Sequence, residues 1–320
     1  MSRWGGTVVT GKRHTMSDNK QRAIQECFPH TFLDSMSFLI ARGSHRVKQP
    51  TGVGVNRSTV LGESFRMHIK IADSRTALGQ YVAQTAAAQL RTILSQQPDA
   101  NLVVATGSSQ FEVLDNLVQI SDVDWSRVNG FHLDEYLGLP ITHSASFCGY
   151  LKQRFVDRVP LKSFFYLDGT LPAEELVREA CERINGRRID LMLCGIGENG
   201  HLAFNDPPAD FAIKDPYHIV ELDEACRRQQ VGEGWFDSLE QVPTQAISMT
   251  IHQILQAGRI LCSVPDRRKA EAVKQTLEGS VSTNVPASAL SHHPATTLIL
   301  DPTSSCLLSE QTLALSEHLQ

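Results

Sequence analysis

The sequence has few features of secreted, membrane-spanning or zinc-binding proteins. Its seven cysteines are an odd number, and they are scattered without a Cys-x-x-Cys pair. Cys194 and Cys262 lie inside apolar runs, which is typical of reduced thiols in a cytosolic protein. No apolar run approaches the roughly 18 residues that span a membrane, and no cysteine–histidine spacing matches a zinc site. We therefore expect a cytoplasmic protein with no membrane partner and no metal.

The overall charge argues against nucleic acid as a partner. A formal net charge of −5 gives no general attraction to nucleic acid or to anionic membranes. With 41% hydrophobic and 20% charged residues, the chain has the composition of a globular protein with a sizeable core. Its 320 residues suffice for one large domain or for two ordinary ones.

The first 66 residues differ in composition from the rest. They hold ten Lys and Arg against four Asp and Glu, whereas residues 67–320 hold twenty against thirty-one. An Arg-rich, acid-poor start resembles an organellar transit peptide, but the acidic residues and the lack of amphipathic spacing argue against one. We predict a flexible basic extension over residues 1–66, with one helical patch at 24–41.

From residue 67 onward, apolar strands alternate with amphipathic helices. Strands are predicted at 67–72, 101–105, 128–133, 163–167, 189–194, 246–251, 259–264 and 297–300, and helices at 74–96, from about 110, and at 146–155, 173–185 and 268–278. Repeated strand–helix units indicate a Rossmann-like α/β fold, with a mostly parallel sheet and helices on both faces. No repeat or linker divides residues 67–320, so we predict one domain there.

Polar clusters follow three of the predicted strands, at the edge where open α/β sheets bind ligands. The first cluster consists of Thr106, Gly107, Ser108 and Ser109. Small residues let the backbone approach a ligand, and the N–H groups of a helix start favour an anion such as phosphate. The cluster does not match G-x-x-x-x-G-K-[ST], and it lacks G-x-G-x-x-G, which weakens a dinucleotide interpretation. An ordinary N-cap turn remains the alternative.

The second cluster is the pair of adjacent carboxylates Asp134 and Glu135. Strand alternation places Leu133 in the core and leaves both acids where the strand ends. A carboxylate at such a position can take a carbon-bound proton if burial raises its pKa. The alternative is a pair of solvated turn residues without a chemical role.

The third cluster follows the apolar strand 189–194 and two glycines. It holds Glu198, Asn199, His201, Asn205 and Asp206. One loop could thus supply an imidazole and the groups that fix its tautomer, and such an imidazole moves protons near neutral pH. The alternative is a glycine-rich turn whose polar side chains satisfy backbone groups.

Together these segments resemble the signatures of the glucosamine-6-phosphate deaminases, also called isomerases. Residues 131–140, followed by His143, Ser144 and Ser146, are similar to the second signature of that family, and residues 195–207 to its catalytic loop. Residues 106–109 stand where the family has its phosphate-cradling loop, and the match continues at 242–250 and 269–270. The resemblance covers residues 67–310.

The same fold occurs in 6-phosphogluconolactonases, which usually have Ala-Ser-Leu-Phe-Pro after the Gly-His step of this loop. Here the loop reads Phe204-Asn205-Asp206-Pro207 instead. The resemblance therefore favours the deaminase branch of the family.

The resemblance implies a role for each residue of the catalytic set. Asp134 stands for the general base that moves the C2 proton of an opened aminosugar to C1, and His201 for the residue that opens the pyranose ring. Asp206 stands where the family has a glutamate that orients the histidine. Asn199 stands where either aspartate or asparagine occurs.

The resemblance also implies a sugar phosphate as the small-molecule ligand. Its phosphate would be held by Thr106, Gly107, Ser108 and Ser109, with Lys269 as the positive charge. Such proton transfer and ammonia release need positioned acids and bases and no cofactor. The sequence leaves a homo-oligomer open.

Two departures from the family pattern concern the site. Asp206 is one methylene shorter than glutamate, which shortens its reach to His201 by about 1.5 Å. The family usually places an arginine before an aromatic pair to grip phosphate, whereas this chain reads Glu233-Gly234-Trp235-Phe236 there. Arg228 is the candidate that could replace this arginine.

Two further functions remain as alternatives to an aminosugar-phosphate isomerase and deaminase. One is a sugar-phosphate lactonase in which His201 activates water. The other is a protein that binds a sugar phosphate without catalysis, as the shortened acid and the missing arginine would suggest.

Overall fold

The computed structural model describes residues 67–319 of the chain. The predicted basic extension over 1–66, with its helical patch at 24–41, lies outside the described residues. Within the described range, the helices are all too short or too polar to cross a membrane.

The described residues form eleven strands. In chain order these are β1 His68–Ile71, β2 Ala100–Val104, β3 Val128–His132, β4 Asp134–Tyr136, β5 Ser163–Phe165, β6 Leu191–Cys194, β7 Tyr217–Glu221, β8 Gln245–Met249, β9 Ile260–Val264, β10 Thr296–Leu300 and β11 Glu317–His318. Eight of them make one sheet in the order β11-β1-β10-β9-β6-β2-β3-β5, and all neighbouring pairs in it are parallel.

Helices connect the strands. They are α1 Arg75–Gln96, α2 Phe111–Leu117, α3 Phe147–Arg154, α4 Ala173–Ile184, α5 Glu224–Gly232, α6 Ile251–Ile254, α7 Ala270–Glu278 and α8 Glu310–Leu313. Short 3₁₀ turns at Ser108–Gln110 and Arg267–Lys269 lead into α2 and α7. This arrangement confirms the predicted α/β fold with a parallel central sheet.

The longest helix, α1, begins and packs as its sequence predicts. The Ser74 side chain accepts a hydrogen bond from the Ala77 N–H at 3.1 Å, which satisfies a donor that the first helical turn leaves free. Its apolar face is buried in the same cluster as the sheet residues Leu102, Val104 and Leu193. Truncating one of these leucines to alanine would cost about 2–5 kcal/mol of stability.

Both faces of the sheet are covered. The strand residues that alternate with those beneath α1, such as Val103, Met192 and Cys262, are also fully buried. Continuous burial on both faces is what a parallel sheet between two helical layers requires. It explains why these strands read as unbroken apolar runs in the sequence.

A second, smaller sheet corrects two of the predictions. Three strands pair antiparallel in the order β4-β8-β7, so β8 does not belong to the central sheet in which residues 246–251 were expected. Asp134 and Glu135 were predicted to lie where a strand ends, but they are themselves part of a strand. They continue from β3 through Leu133 as the new strand β4, because the chain leaves one sheet and at once pairs with the other.

The strand order places four loops side by side. The neighbours β9, β6, β2 and β3 stand at the centre of the sheet, and the chain order changes direction between β6 and β2. In open α/β sheets, ligands bind beyond the carboxyl ends of the strands at such a switch point.

Candidate active site

An open cleft lies beyond the carboxyl ends of these four strands. All three polar clusters contribute to its lining, and so does the turn that follows β9. The predicted site residues that line it are Thr106, Gly107, Ser108, Ser109, Asp134, His201 and Lys269. Segments up to 163 residues apart in sequence, from Thr106 to Lys269, thus meet at one cleft.

The loop after β2 presents backbone to the cleft. Gly107 has a φ of +89°, a conformation that side chains with a Cβ rarely adopt, and the chain then enters the 3₁₀ turn Ser108–Gln110. The Arg75 guanidinium donates to the Ser108 carbonyl and, through Nε at 2.8 Å, to Glu112. The loop is therefore fixed from outside while its small residues face the cleft.

Gln110 is a site-supporting residue that the sequence did not single out. Its side chain is fully buried, and Nε2 donates to the Cys194 carbonyl at 3.0 Å and to the Ser263 hydroxyl at 2.8 Å. These acceptors stand on β6 and β9, so one amide joins the loop after β2 to both strands. Nothing in the local sequence pattern distinguishes this glutamine from a surface helix residue.

Asp134 lies at the cleft with its side chain almost fully buried, at 6% exposure. Burial, together with the negative charge of the adjacent Glu135, raises its pKa to about 8. A carboxyl group with a pKa near the working pH is a stronger proton acceptor than an ordinary aspartate once it is ionised.

Glu135 does not line the cleft and instead holds the start of α3 in place. One carboxylate oxygen accepts from the Tyr136 and Phe147 N–H groups, and the other from the Cys148 N–H and the Ser146 hydroxyl, at 2.7–3.1 Å. It thereby satisfies the free donors at the start of α3. The two adjacent acids are both buried, which excludes the solvated-turn alternative, but they have different environments.

His201 lies between the cleft and a carboxylate. Its Nδ1 is 3.1 Å from Oδ1 of Asp206, an ion-pair distance, although the direction of the ring N–H is not ideal for a hydrogen bond. The His201 backbone N–H donates to the Asn199 side chain at 3.1 Å. The shorter aspartate thus reaches the imidazole without the extra methylene.

Asp206 is itself held in place and kept ionised. Asn199 donates to its Oδ1 at 3.1 Å, and the Asp223 N–H donates to its Oδ2 at 3.0 Å. Burial opposes ionisation, but the contacts with His201, Asn199 and Asp223 outweigh it, so the pKa of Asp206 lies below its usual range. Asn199 and Asp206 do not line the cleft and act on it through His201.

The backbone of Gly197 lies directly against the imidazole. A Cβ placed on this glycine would come within 2.2–2.4 Å of three atoms of the His201 ring. Real side chains do not approach so closely, so only glycine fits here. The packing of the ring thus depends on a position that the sequence shows merely as one of several glycines.

Lys269 lies in the cleft beside a residue that the sequence did not assign to the site. Its Nζ is 3.4 Å from Oε1 of Glu233, and the two side chains are 6% and 4% exposed. Burial lowers the pKa of Lys269, an effect that the nearby Glu233 partly offsets. Burial would raise the pKa of Glu233, but the charges of Lys269 and Arg268 and the hydrogen bonds from Gln229 and Trp235 together outweigh it and lower the pKa.

Arg228 does not reach the cleft. Its exposed guanidinium pairs with Glu224 one helical turn earlier on α5, and it is absent from the cleft lining. The preceding Arg227 donates to the carbonyls of Leu239 and Val242, at 2.6 and 3.0 Å. In the described part of the chain, then, neither arginine stands where the missing phosphate-gripping arginine was expected.

Known proteins are similar to this chain in sequence and in fold. A sequence profile of the family described as glucosamine-6-phosphate isomerases/6-phosphogluconolactonase matches residues 73–299. A glucosamine-6-phosphate deaminase of Oenococcus oeni is 37% identical over 211 residues, which are 65% of this chain and 86% of the relative.

Solved structures of similar proteins come from both branches of that family. A monomeric glucosamine-6-phosphate deaminase has a TM-score of 0.69 at 31% identity, over 75% of this chain and all of the other. A 6-phosphogluconolactonase of Shewanella baltica has a TM-score of 0.63 at 19% identity, over 75% of this chain and all of the other. The latter likeness concerns the fold alone.

Proposed function

Because the chain belongs to the family of glucosamine-6-phosphate isomerases and 6-phosphogluconolactonases, we propose that it is an aminosugar-phosphate deaminase. The reaction converts glucosamine 6-phosphate and water to the corresponding 2-ketose 6-phosphate and ammonium. The observation that carries this proposal is the single cleft shared by Asp134, His201, the small-residue loop 106–109 and Lys269. It offers a base, an acid–base imidazole and an anion site together.

His201 would open the sugar ring. Its imidazole takes the proton of the C1 hydroxyl and delivers one to the ring oxygen, so that the bond between C1 and that oxygen breaks and C1 becomes an aldehyde. Asp206, ionised and 3.1 Å from Nδ1, stabilises the imidazolium formed during this exchange. The Asn199 side chain supports both groups, because it donates to the Asp206 carboxylate and accepts from the His201 backbone N–H.

Asp134 would then transfer the proton between carbons. It removes the C2 proton, the electron pair forms a C1–C2 double bond, and the aldehyde oxygen takes up a proton. Asp134 returns its proton to C1 while the nitrogen lone pair forms an iminium at C2. Water adds to this carbon, the C–N bond breaks, and ammonium leaves. A carboxyl group with a pKa of about 8 is suited to accept and return a proton in turn.

The phosphate would bind the backbone N–H groups and hydroxyls of Thr106, Gly107, Ser108 and Ser109, with Lys269 as the charge. Small residues and a helix start favour such an anion. Held at this end, the sugar places its first two carbons at a fixed distance from the acid and the imidazole, which converts the chemistry into an intramolecular process.

We place the reaction in the cytoplasm. Cys148, Cys194, Cys226 and Cys262 are buried free thiols, which persist in a reducing compartment. Homo-oligomerisation stays a prediction, and light scattering of the purified chain would test it.

The test is ammonia release from glucosamine 6-phosphate by the purified full chain. We expect the wild type to release ammonia and Asp134→Asn to lose about 10²–10⁴-fold in kcat, the usual contribution of a general base. Hydrolysis of 6-phosphogluconolactone without ammonia release would select the lactonase. Tight binding of the sugar phosphate without turnover of either substrate would select the non-catalytic alternative.

A further inference from the structure

The cleft already contains a carboxylate at the cation that phosphate would use. Glu233 and Lys269 both line it, and Glu233 is the carboxylate within 4 Å of Lys269 among the described residues. The neighbouring Arg268 is engaged elsewhere, with Asp266 at 2.9 Å and Glu198 at 3.4 Å. A phosphate entering the cleft therefore meets a lysine whose charge is neutralised.

Three nitrogen donors surround the Glu233 carboxylate. Besides Lys269 Nζ, the Gln229 amide donates to Oε1 at 2.8 Å and the Trp235 indole N–H donates to Oε2 at 3.3 Å. The Gln229 amide is oriented for this role, because its oxygen accepts from the Glu198 N–H at 2.9 Å. Converging N–H donors around a buried anion are also what a phosphate group requires.

Glycines stand on both sides of Glu233 in the sequence. Glu233 follows the end of α5 and stands between Gly232 and Gly234, and Gly234 has a φ of +82°. A Cβ placed on either glycine would meet no atom within 4 Å, so both glycines face open space. The carboxylate is held by polar contacts that another anion could replace.

We propose that Glu233 is a resident substitute for the substrate's phosphate and that the phosphate displaces it. Before substrate binds, the carboxylate holds Lys269 and Gln229 in position. When the sugar phosphate binds, its phosphate takes over these two donors and Glu233 moves away. This inference rests on the proposed function, because it assigns a specificity-determining residue to the same cleft.

The exchange has a measurable cost. Phosphate binding must break the pair between Glu233 and Lys269. The apparent affinity for phosphate is the intrinsic affinity multiplied by the fraction of molecules in which the donors are free, so the pair weakens binding. Removing the negative charge of Glu233 should therefore tighten phosphate binding. We expect the Kd for phosphate to fall roughly tenfold. A residue that merely supported Lys269 would behave in the opposite way, since its loss would weaken binding.

The experiment measures binding of inorganic phosphate by isothermal titration calorimetry to the full chain. Glu233→Gln and Glu233→Ala remove the charge in two ways, so that a folding defect in one leaves the other to decide. Glu271→Gln is the matched control, because Glu271 is an exposed acid two residues from Lys269, at the start of α7. We expect Kd to fall about tenfold in both Glu233 variants and to stay unchanged in the control.

Steady-state kinetics with glucosamine 6-phosphate add a second measurement. We expect KM to fall in the Glu233 variants without a rise in kcat, because the carboxylate does not touch the reacting carbons. Equal or weaker phosphate binding in both Glu233 variants would overturn the inference, as would the absence of phosphate binding in every variant. If the wild type releases no ammonia, the proposed function fails, but the calorimetry still decides the role of Glu233.

Discussion

Two groups in the described part of this molecule each combine a histidine, a carboxylate and a cysteine, but their surroundings differ. His132, Glu135 and Cys148 form one, and His201, Asp206 and Cys226 the other, with the polar atoms of each group within 4.8 Å of one another. In the first group, His132 is fully buried, and burial lowers its pKa to about 3. In the second group, the imidazole lines the cleft.

The carboxylates of the two groups differ in the groups that contact them. Both oxygens of Glu135 are occupied by donors of α3 and its preceding residues, whereas Asp206 turns one oxygen toward its histidine. In neither group is residue type sufficient to define the chemistry. A histidine that lines a cleft beside an ionised carboxylate is placed to transfer protons, whereas a fully buried histidine is kept neutral and serves as part of the core.

The largest contrast should come from changing each histidine to glutamine. We expect His201→Gln to lower kcat for ammonia release about 10²–10⁴-fold with little change in thermal stability. We expect His132→Gln to keep kcat within a few-fold but to lose about 1–3 kcal/mol of unfolding free energy, because a buried amide is left with unpaired groups. Urea unfolding and ammonia assays on the same preparations check both. A large drop in kcat in His132→Gln with an intact fold would erase the contrast.

Substitutions of the two carboxylates should also differ in their effects on kcat and on stability, but by less than the histidine substitutions do. Asp206→Asn should lower kcat by about a hundredfold, the cost of a misplaced or wrongly protonated imidazole. Glu135→Gln should lose about 3 kcal/mol of stability, because its new NH₂ group would face donors at the start of α3. Its effect on kcat should be smaller than that of Asp206→Asn, and the loss of its charge should lower the pKa of Asp134. Each variant serves as the control for the other, and a Glu135→Gln protein of unchanged stability contradicts the assignment.

Acid unfolding sharpens the comparison further. The folded pKa of His132, about 3, lies below its unfolded value of 6.5, so the unfolded chain binds the extra proton between these pH values. Stability should therefore fall as pH drops through this window, by up to about 1.4 kcal/mol per pH unit from this group. His132→Gln should unfold with a shallower pH dependence in urea titrations. An unchanged slope would mean that His132 ionises freely in the fold.

The cysteines should give the smallest difference. Cys226 lies against the Asp206 carboxylate, whereas Cys148 donates to the Leu167 carbonyl at 3.1 Å. We expect Cys226→Ala to change kcat a few-fold, and Cys148→Ala to lower stability by about 1 kcal/mol with kcat unchanged. Differential scanning calorimetry and the ammonia assay distinguish the two. A stronger kinetic effect at Cys148 than at Cys226 would reverse the comparison.

The meeting of the three polar clusters could be predicted from the sequence. Apolar runs that stop just before Thr106, Asp134 and Gly195 indicated buried parallel strands. The carboxyl ends of parallel strands in one sheet lie at the same edge. The structure indeed brings residues of all three clusters to one cleft. Their roles in the chemistry remain proposals.

The smaller sheet and the position of Glu233 could not be predicted. Strand β7 is only partly buried, and its pairing with β8 joins segments that no local pattern connects. The sequence showed a glutamate near the expected arginine but not that its side chain turns inward toward Lys269, 36 residues away. Both features depend on long-range contacts, which periodicity does not reveal.

The contact between Gly197 and His201 has one further consequence. The imidazole lies against main chain, which cannot change rotamer, so its orientation depends on the loop that follows β6. A single methyl group at position 197 would displace the His201 ring, although every proposed catalytic side chain would still be present. Gly197→Ala is thus a way to remove the histidine from its place without mutating it.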